Sequence, residues 1–301
     1  MAKPDIYTRV TDKIIAALEA GVRPWHKPWN AEHLAGRVTR PLRGNGIPYR
    51  GINVILLWCA SVDRGLSAPI WMTYKQAQDL GAQVRKGAKG ETVVYANTLH
   101  KTETDDNGEE VELAIPYLKT YTVFTVEEID GLPEHYYATA RQMPEGIERD
   151  AAAEAFFAAT GADIRHGGNR ASYLIGPDYV QMPPFEAFED PAAYYSALGH
   201  EMIHWTRHST RLDRGFGRKH WGDEGYAQEE LVAELGAAFL CADLRLTPEP
   251  RDEHAAYIAN WLTALKNDKR FIFHAAAHAQ RAVEYLHQLQ PAAEERDELA
   301  A

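Results

Sequence analysis

Residues 200–204, His-Glu-Met-Ile-His, place two imidazoles four residues apart with a carboxylate beside the first. On an α-helix His200 and His204 project from one face, one turn apart, so both can bind a single Zn2+ at about 2.0–2.1 Å. Glu201 stands about 100° round the same helix. From there its carboxylate can reach water acidified by the ion without being a ligand itself, which is the geometry of a general base. A catalytic zinc needs a third protein ligand and an open fourth position. A third histidine in H-E-x-x-H-x-x-G-x-x-H is excluded, because Arg207 and Thr210 occupy its Gly and last His positions.

The next apolar stretch, "YAQEELVAELGAAFL", carries Glu230 and Glu234 on one helical face together with Ala227, Ala237 and Cys241. Carboxylates on such a face need a cation or a hydrogen-bond partner. Glu230 is assigned as the third ligand and Glu234 as the group that orients a histidine. The reverse assignment, and Glu229 as the ligand, stay open. Zinc is the expected ion, and Mn2+ or another divalent metal also suits two histidines and a carboxylate. His208, His220 and Tyr226 are candidate donors to the oxyanion of a tetrahedral intermediate. The segment "ASYLIGPDYVQM" reads as strand, turn and strand, and an edge strand there can pair with an extended peptide.

The elements that position these residues follow from periodicity. Helices are expected at about 190–207, 226–243, 251–266 and 270–288, with another near "RDAAAEAFFAAT". Towards the N-terminus, Ile6, Val10, Ile14, Ile15 and Leu18 recur at helical spacing up to Gly21, a natural C-cap. "NVILLWCA" reads as a buried helix and "TYKQAQDLG" as a short one. "ETVVYANTLHK" and "IPYLKTYTVFTV" read as strands joined through an Asp-Asn-Gly turn. "EEIDGLPEHY" reads as a linker. The expected architecture is α+β in two domains, residues 1–135 a mixed α/β unit and residues 136–301 largely helical with a small sheet.

The charge is divided unevenly between them. Residues 1–101 hold 15 Lys and Arg against 7 Asp and Glu, a balance of +8, although the whole chain carries −11. The basic half therefore points to a polyanionic partner. Its cations are interleaved with aromatics: Trp25, Lys27, Trp29, Arg43, Tyr49, Arg50, Trp71, Lys75, Arg85, Lys86 and Lys89. Single-stranded nucleic acid is held in this way, cations tracking phosphates while ring faces stack on unpaired bases. Gly44, Gly46 and Gly51 would let a backbone approach closely. The two cysteines, Cys59 and Cys241, sit apart in apolar settings and read as buried thiols of a reducing cytoplasm. No run is long and apolar enough for a membrane span, and no signal-peptide pattern opens the chain.

The chain as a whole resembles the ArdC-type antirestriction proteins of conjugative plasmids and phages. The resemblance rests on "YTRVTDKIIAALEAGVRPWHKPW", "PYRGINVILLW", "WMTYKQAQDLGAQVRKGAKGETVVYA" and "YTVFTVEEIDGLP" in the first half. In the second it rests on "LGHEMIHWTRHSTRL", "YAQEELVAELGAAFLCADL" and "AAYIANWLTALKNDKRFIFHAAAHAQRA". It implies an N-terminal single-stranded-DNA-binding domain joined to a zincin-type metallopeptidase domain, and a role in shielding incoming DNA from host restriction. It also implies that His200, His204 and a glutamate of "EELVAE" hold the metal and that Glu201 is catalytic. Single-stranded DNA is the expected partner of a monomeric chain, with host restriction proteins or another protein as peptidase substrate. A second reading is a DNA-binding protector whose metallopeptidase-like domain is a non-proteolytic scaffold.

Overall fold

The computed structural model describes residues 5–23, 25, 40–66, 68–104, 110–137, 150–188, 190–217, 224–246 and 255–291. It is an α+β protein of two compact units, one formed by residues 41–139 and the other by residues 1–40 together with 140–301. This division differs from one near residue 135, because helix α1 (Ile6–Glu19) groups with the C-terminal helices. Asp5 caps α1, its carboxylate accepting from the Thr8 amide at 3.1 Å. Val10, Ile14, Ile15 and Leu18 are buried. The Thr11 hydroxyl donates to the Lys269 carbonyl at 2.6 Å, and Lys269 pairs with Asp12 at 2.8 Å. None of the described helices is long and apolar enough to cross a membrane.

In the unit of residues 41–139, "NVILLWCA" lies in helix α2 (Ile52–Arg64), where Val54 to Ala60 are all buried. A helix apolar on every side has to be enclosed by its neighbours. Gly65 ends it in the left-handed region at φ 62°, a conformation that favours glycine. The sheet runs in the order β1 (Leu42–Arg43), β2 (Ile70–Thr73), β5 (Glu110–Thr125), β4 (Glu91–Thr104). β1 and β2 are parallel and the other pairs antiparallel. The edge strand β4 is tied to α2 by Asn53, whose amide accepts from Val94 N at 2.7 Å and donates to Val94 O at 2.8 Å. Strands β3 (Gln83–Val84) and β6 (Ile129–Asp130) form a second small sheet. They close, with short helix α3 (Tyr74–Asp79), over a cluster of Met72, Ala77, Ala82, Val84, Val126, Ile129 and Leu132. The Asp-Asn-Gly turn falls at residues 105–109, outside the described residues.

The other unit holds helix α4 (Ala151–Ala159) and a three-stranded sheet ordered β7 (Ile164–His166), β9 (Tyr179–Met182), β8 (Ser172–Leu174). Its helices α5 (Pro191–Trp205), α6 (Glu224–Asp243), α7 (Ala255–Asn267) and α8 (Phe271–Gln288) follow. Asp190 caps α5, accepting from the Ala193 amide at 2.7 Å, and Pro191 occupies its first turn. α5 is buried from Tyr194 to Trp205, packed against α6 on one side and against β8 and β9 on another.

Gly236 allows α5 and α6 their close approach. A Cβ at Gly236 would stand 2.8 Å from two Ile203 side-chain carbons, closer than packed carbons come. Gly236→Val should therefore force the helices apart, costing about 1–3 kcal/mol of stability as overpacking. Urea unfolding measures that loss, and metal titration should show weakened binding with it, because the two helices carry opposite sides of the site described next.

Candidate metal centre

His200 and His204 leave the buried face of α5, and Glu230 reaches them from α6. The two Nε2 atoms lie 3.1 Å apart. His200 Nε2 is 3.5 Å from Glu230 Oε2, and His204 Nε2 is 3.5 Å from Glu230 Oε1. Ligands placed tetrahedrally at about 2.1 Å from one ion stand about 3.4 Å apart. The three donors therefore fit a single divalent ion, and two imidazoles with one carboxylate are a donor set suited to zinc or manganese. Among the described residues this is the compact group of metal-ligating side chains.

Two further carboxylates address the outer nitrogens of the same rings. Glu229 Oε1 lies 3.1 Å from His204 Nδ1, and Glu234 Oε2 lies 3.6 Å from His200 Nδ1. With Nε2 of each ring turned to Glu230, the Nδ1 sides face carboxylates. At 3.1 Å Glu229 is within hydrogen-bond distance of its ring, the contact that fixes a ligand imidazole's orientation and raises its basicity, whereas Glu234 at 3.6 Å stands just beyond it. Glu234, the orienting group expected from the sequence, faces the His200 ring on that side. Glu229 takes the same part for the other ring, a part the helical spacing alone did not give it.

Glu229 is itself held by a residue that sequence reasoning missed. Arg214 Nε donates to Glu229 Oε2 at 2.9 Å and its Nη2 donates to Oε1 at 2.8 Å, a two-pronged pair with both side chains almost fully buried. Two of the three remaining guanidinium hydrogens go to the Thr206 hydroxyl at 3.0 Å and the Ile203 carbonyl at 2.9 Å, at the end of α5. The sequence signal is faint: Arg214 sits in "LDRGFGR", a stretch that looks solvent-exposed.

The electrostatics of the cluster favour a cation. Burial alone pulls the pKa of His204 down, but the carboxylates of Glu230 and Glu229 outweigh it and push it up to about 10. Burial raises the Glu229 carboxyl, yet hydrogen bonds from His204 and Arg214 hold it down at about 2. Glu230 is likewise raised by burial and brought far below the usual carboxylate range by the two imidazoles. Where such a site takes up a divalent ion, the ion replaces the imidazole proton.

Glu201 is buried beside this group, and its Oε2 accepts a hydrogen bond from the Tyr173 amide at 2.9 Å. Tyr173 belongs to β8, an edge strand of the small sheet, so the general-base candidate is aimed by an edge-strand N–H. The strand is in turn pinned. The Tyr173 hydroxyl donates to Asp178 at 2.8 Å, and Arg211 donates to Asp178, to the Tyr173 hydroxyl at 3.1 Å and to the Trp205 carbonyl at 2.6 Å. The Arg211 guanidinium also stacks 3.9 Å above the Trp205 ring. Of the oxyanion candidates, His208 is engaged with the Thr210 hydroxyl at 2.8 Å and Tyr226 is buried on α6. His220 lies outside the described residues.

The basic half places its residues differently from the expectation of stacked tryptophans. Trp25 and Trp71 have no exposed surface, and Trp25 packs edge-on against Trp261 at 6.2 Å. Tyr49 is buried with Arg43 over its ring at 5.5 Å, and that burial pushes its hydroxyl up to about 12. These three rings have no face to offer a base: burying large apolar surface outweighed any ligand role. Lys27 and Trp29 lie outside the described residues. Arg43, Arg50, Lys75, Arg85, Lys86 and Lys89 are exposed, Arg85 with Asp130 as partner at 2.7 Å.

Comparison with known proteins places this geometry in a family. Residues 4–124 match the N-terminal domain of anti-restriction factor ArdC, and residues 151–278 match a zincin-like metallopeptidase family. The metal-free crystal structure of the antirestriction protein ArdC of plasmid R388 is 49% identical, with a TM-score of 0.81 over 95% of this chain and 98% of that one. The Mn(II)-bound crystal structure of the R388 protein is 46% identical, with a TM-score of 0.80 over 97% of this chain and 100% of that one. An uncharacterized protein, y4eC, of Sinorhizobium fredii (strain NBRC 101917 / NGR234) is 42% identical over 303 residues, covering 97% of this chain and 95% of the relative. The DNA primase TraC of Escherichia coli is 37% identical over 94% of this chain, which spans only 27% of that protein. With its two family domains in order and 95% of its length matched by an ArdC structure, the chain belongs to the ArdC antirestriction family.

Proposed function

We propose that this protein binds single-stranded DNA, shields incoming plasmid or phage DNA from host restriction in the cytoplasm, and carries a working metal-dependent peptidase site. The observation that carries the peptidase reading is the intact constellation around Glu201. Three donors are spaced for one ion, and a carboxylate that is not among them is aimed by an edge-strand amide. A scaffold alone has no use for a buried, oriented general base.

In this reading an extended peptide adds to the edge of β8, its backbone pairing with the strand. Glu201 accepts a proton from the attacking water and delivers it to the departing amine. His200, His204 and Glu230 hold the ion, and Glu229 and Glu234 keep the imidazoles in register. When bound, the divalent ion supplies Lewis-acid polarisation of the scissile carbonyl and acidification of water. Zinc is the ion proposed, with manganese the alternative suggested by the Mn(II)-bound relative.

Glu201→Gln is the test. The variant should keep its metal and its DNA affinity while cleavage of a protein substrate in the presence of single-stranded DNA falls at least about 100-fold, the scale of a lost general base. Plasmid establishment in a restricting host should fall with it. Cleavage unchanged in the variant would remove Glu201 from the chemistry. Antirestriction that survives while cleavage is lost would move the function to DNA binding, with protein substrates such as host restriction enzymes incidental to it.

A further inference from the structure

Among the described residues of the unit 41–139, Trp58 and Trp71 are fully buried and the exposed large aromatic rings are tyrosines. Tyr95 is 49% exposed and Tyr121 46%. Along the β4–β5 ribbon Tyr121 pairs with Val93, Lys119 with Tyr95, and Tyr117 with Asn97. Directly paired residues share a face, and so do residues two apart along a strand, so these side chains form one continuous row. The Tyr95 and Tyr121 rings meet edge to face with centroids 6.5 Å apart, and Lys119 is exposed directly across from Tyr95. β2 pairs with β5 only from Val123 to Thr125, so this row lies on the part of the ribbon that runs past β2.

Between its ends the ribbon carries Lys101 and Lys119, with no Asp or Glu in residues 92–102 or 113–126. Its acids lie at the ends: Glu91, paired with Val123 two residues beyond Tyr121, is 3.9 Å from Arg64, and Glu103, Glu110 and Glu112 belong to the opposite end. Half-exposed rings held on a paired-strand frame lose little freedom when a flat ligand stacks on them, and every base has a π-face to offer. A duplex keeps its base faces stacked internally, so unpaired strands are the form that can use them.

We propose that this face of the β4–β5 ribbon is a stacking platform for single-stranded DNA, with Tyr95 and Tyr121 receiving bases and Lys119 meeting a phosphate. The proposal rests on the DNA-binding reading above and gives that binding a location. Fluorescence anisotropy of the full chain with a labelled oligo-dT strand tests it. Tyr95→Ala/Tyr121→Ala should weaken binding at least about tenfold, whereas Tyr95→Phe/Tyr121→Phe, which keeps the rings, should stay within about twofold. Lys119→Ala should lower the slope of log affinity against log salt by about 0.7, the release expected for one phosphate contact on a single strand. Metal content and thermal unfolding identify any variant that fails to fold, and the Lys119 slope then decides in its place. A wild-type chain that does not bind the strand overturns the DNA-binding reading and the platform with it. Wild-type binding that the alanine pair leaves unchanged overturns the platform alone. A loss of the same size on duplex DNA, or one confined to RNA, also overturns it.

Discussion

His204→Ala should strip the divalent metal from the protein, reducing affinity by more than about 100-fold, with Glu230→Gln close behind. Partners that only orient a ligand are already worth 10–100-fold, so a direct ligand should cost more. Elemental analysis and a competition titration measure the loss. The sizes should be ordered by place in the cluster. His204 and Glu230 supply atoms to the three-donor set, whereas Glu234, 3.6 Å from His200 Nδ1, acts through the ring. Glu234→Gln should therefore weaken metal binding by about 10–100-fold and no further. A Glu234 variant that loses metal as completely as Glu230→Gln would exchange the roles of the two glutamates.

Arg214→Met should cost about 3–5 kcal/mol of stability, the largest loss expected of any single substitution outside the metal ligands. The reason lies in what remains behind. Glu229 is 2% exposed and is deprotonated at neutral pH, and Arg214 is the guanidinium that neutralises it through two short hydrogen bonds. Removing one member of a buried pair strands the charge of the other, whereas removing both is far less damaging. Arg214→Met combined with Glu229→Gln should therefore recover much of the loss, a coupling that denaturant unfolding of the two single variants and the double variant measures. Metal affinity should fall in Arg214→Met as well, because Glu229 orients His204. If the double variant were as unstable as the single, the hydrogen bonds from Arg214 to Thr206 and Ile203 would carry the effect instead.

How much of this was legible in the sequence depends on the range of each interaction. The positions of His200, Glu201 and His204 relative to one another follow from helical geometry within one turn, and the same geometry selects Glu230 and Glu234 from the next helix. The helices expected at about 190–207 and 270–288 appear at Pro191–Trp205 and Phe271–Gln288, because apolar periodicity and the Asp190–Pro191 start are local signals. Arg214 and Tyr173 were not legible. They reach Glu229 and Glu201 from loop and strand segments 15 and 28 residues away, and no spacing rule connects them. The burial of Trp25 and Trp71 was illegible for another reason. An aromatic beside a cation reads the same whether its ring faces solvent or core, and only the partner across the fold, Trp261 for Trp25, decides. The docking of α1 belongs with these. Its apolar stripe announces that something covers it, but not that residues from 255 onward do so.

The most direct test of the metal centre is anomalous diffraction from crystals grown with zinc or manganese, which locates an ion and its ligands in one measurement. The expected result is one ion per chain, bonded to His200 Nε2, His204 Nε2 and a Glu230 oxygen at about 2.1 Å, with Glu201 beside it but not bonded to it. An ion held instead by Glu229 or Glu234, or bonded to Glu201, or no ion at this position, would contradict the account.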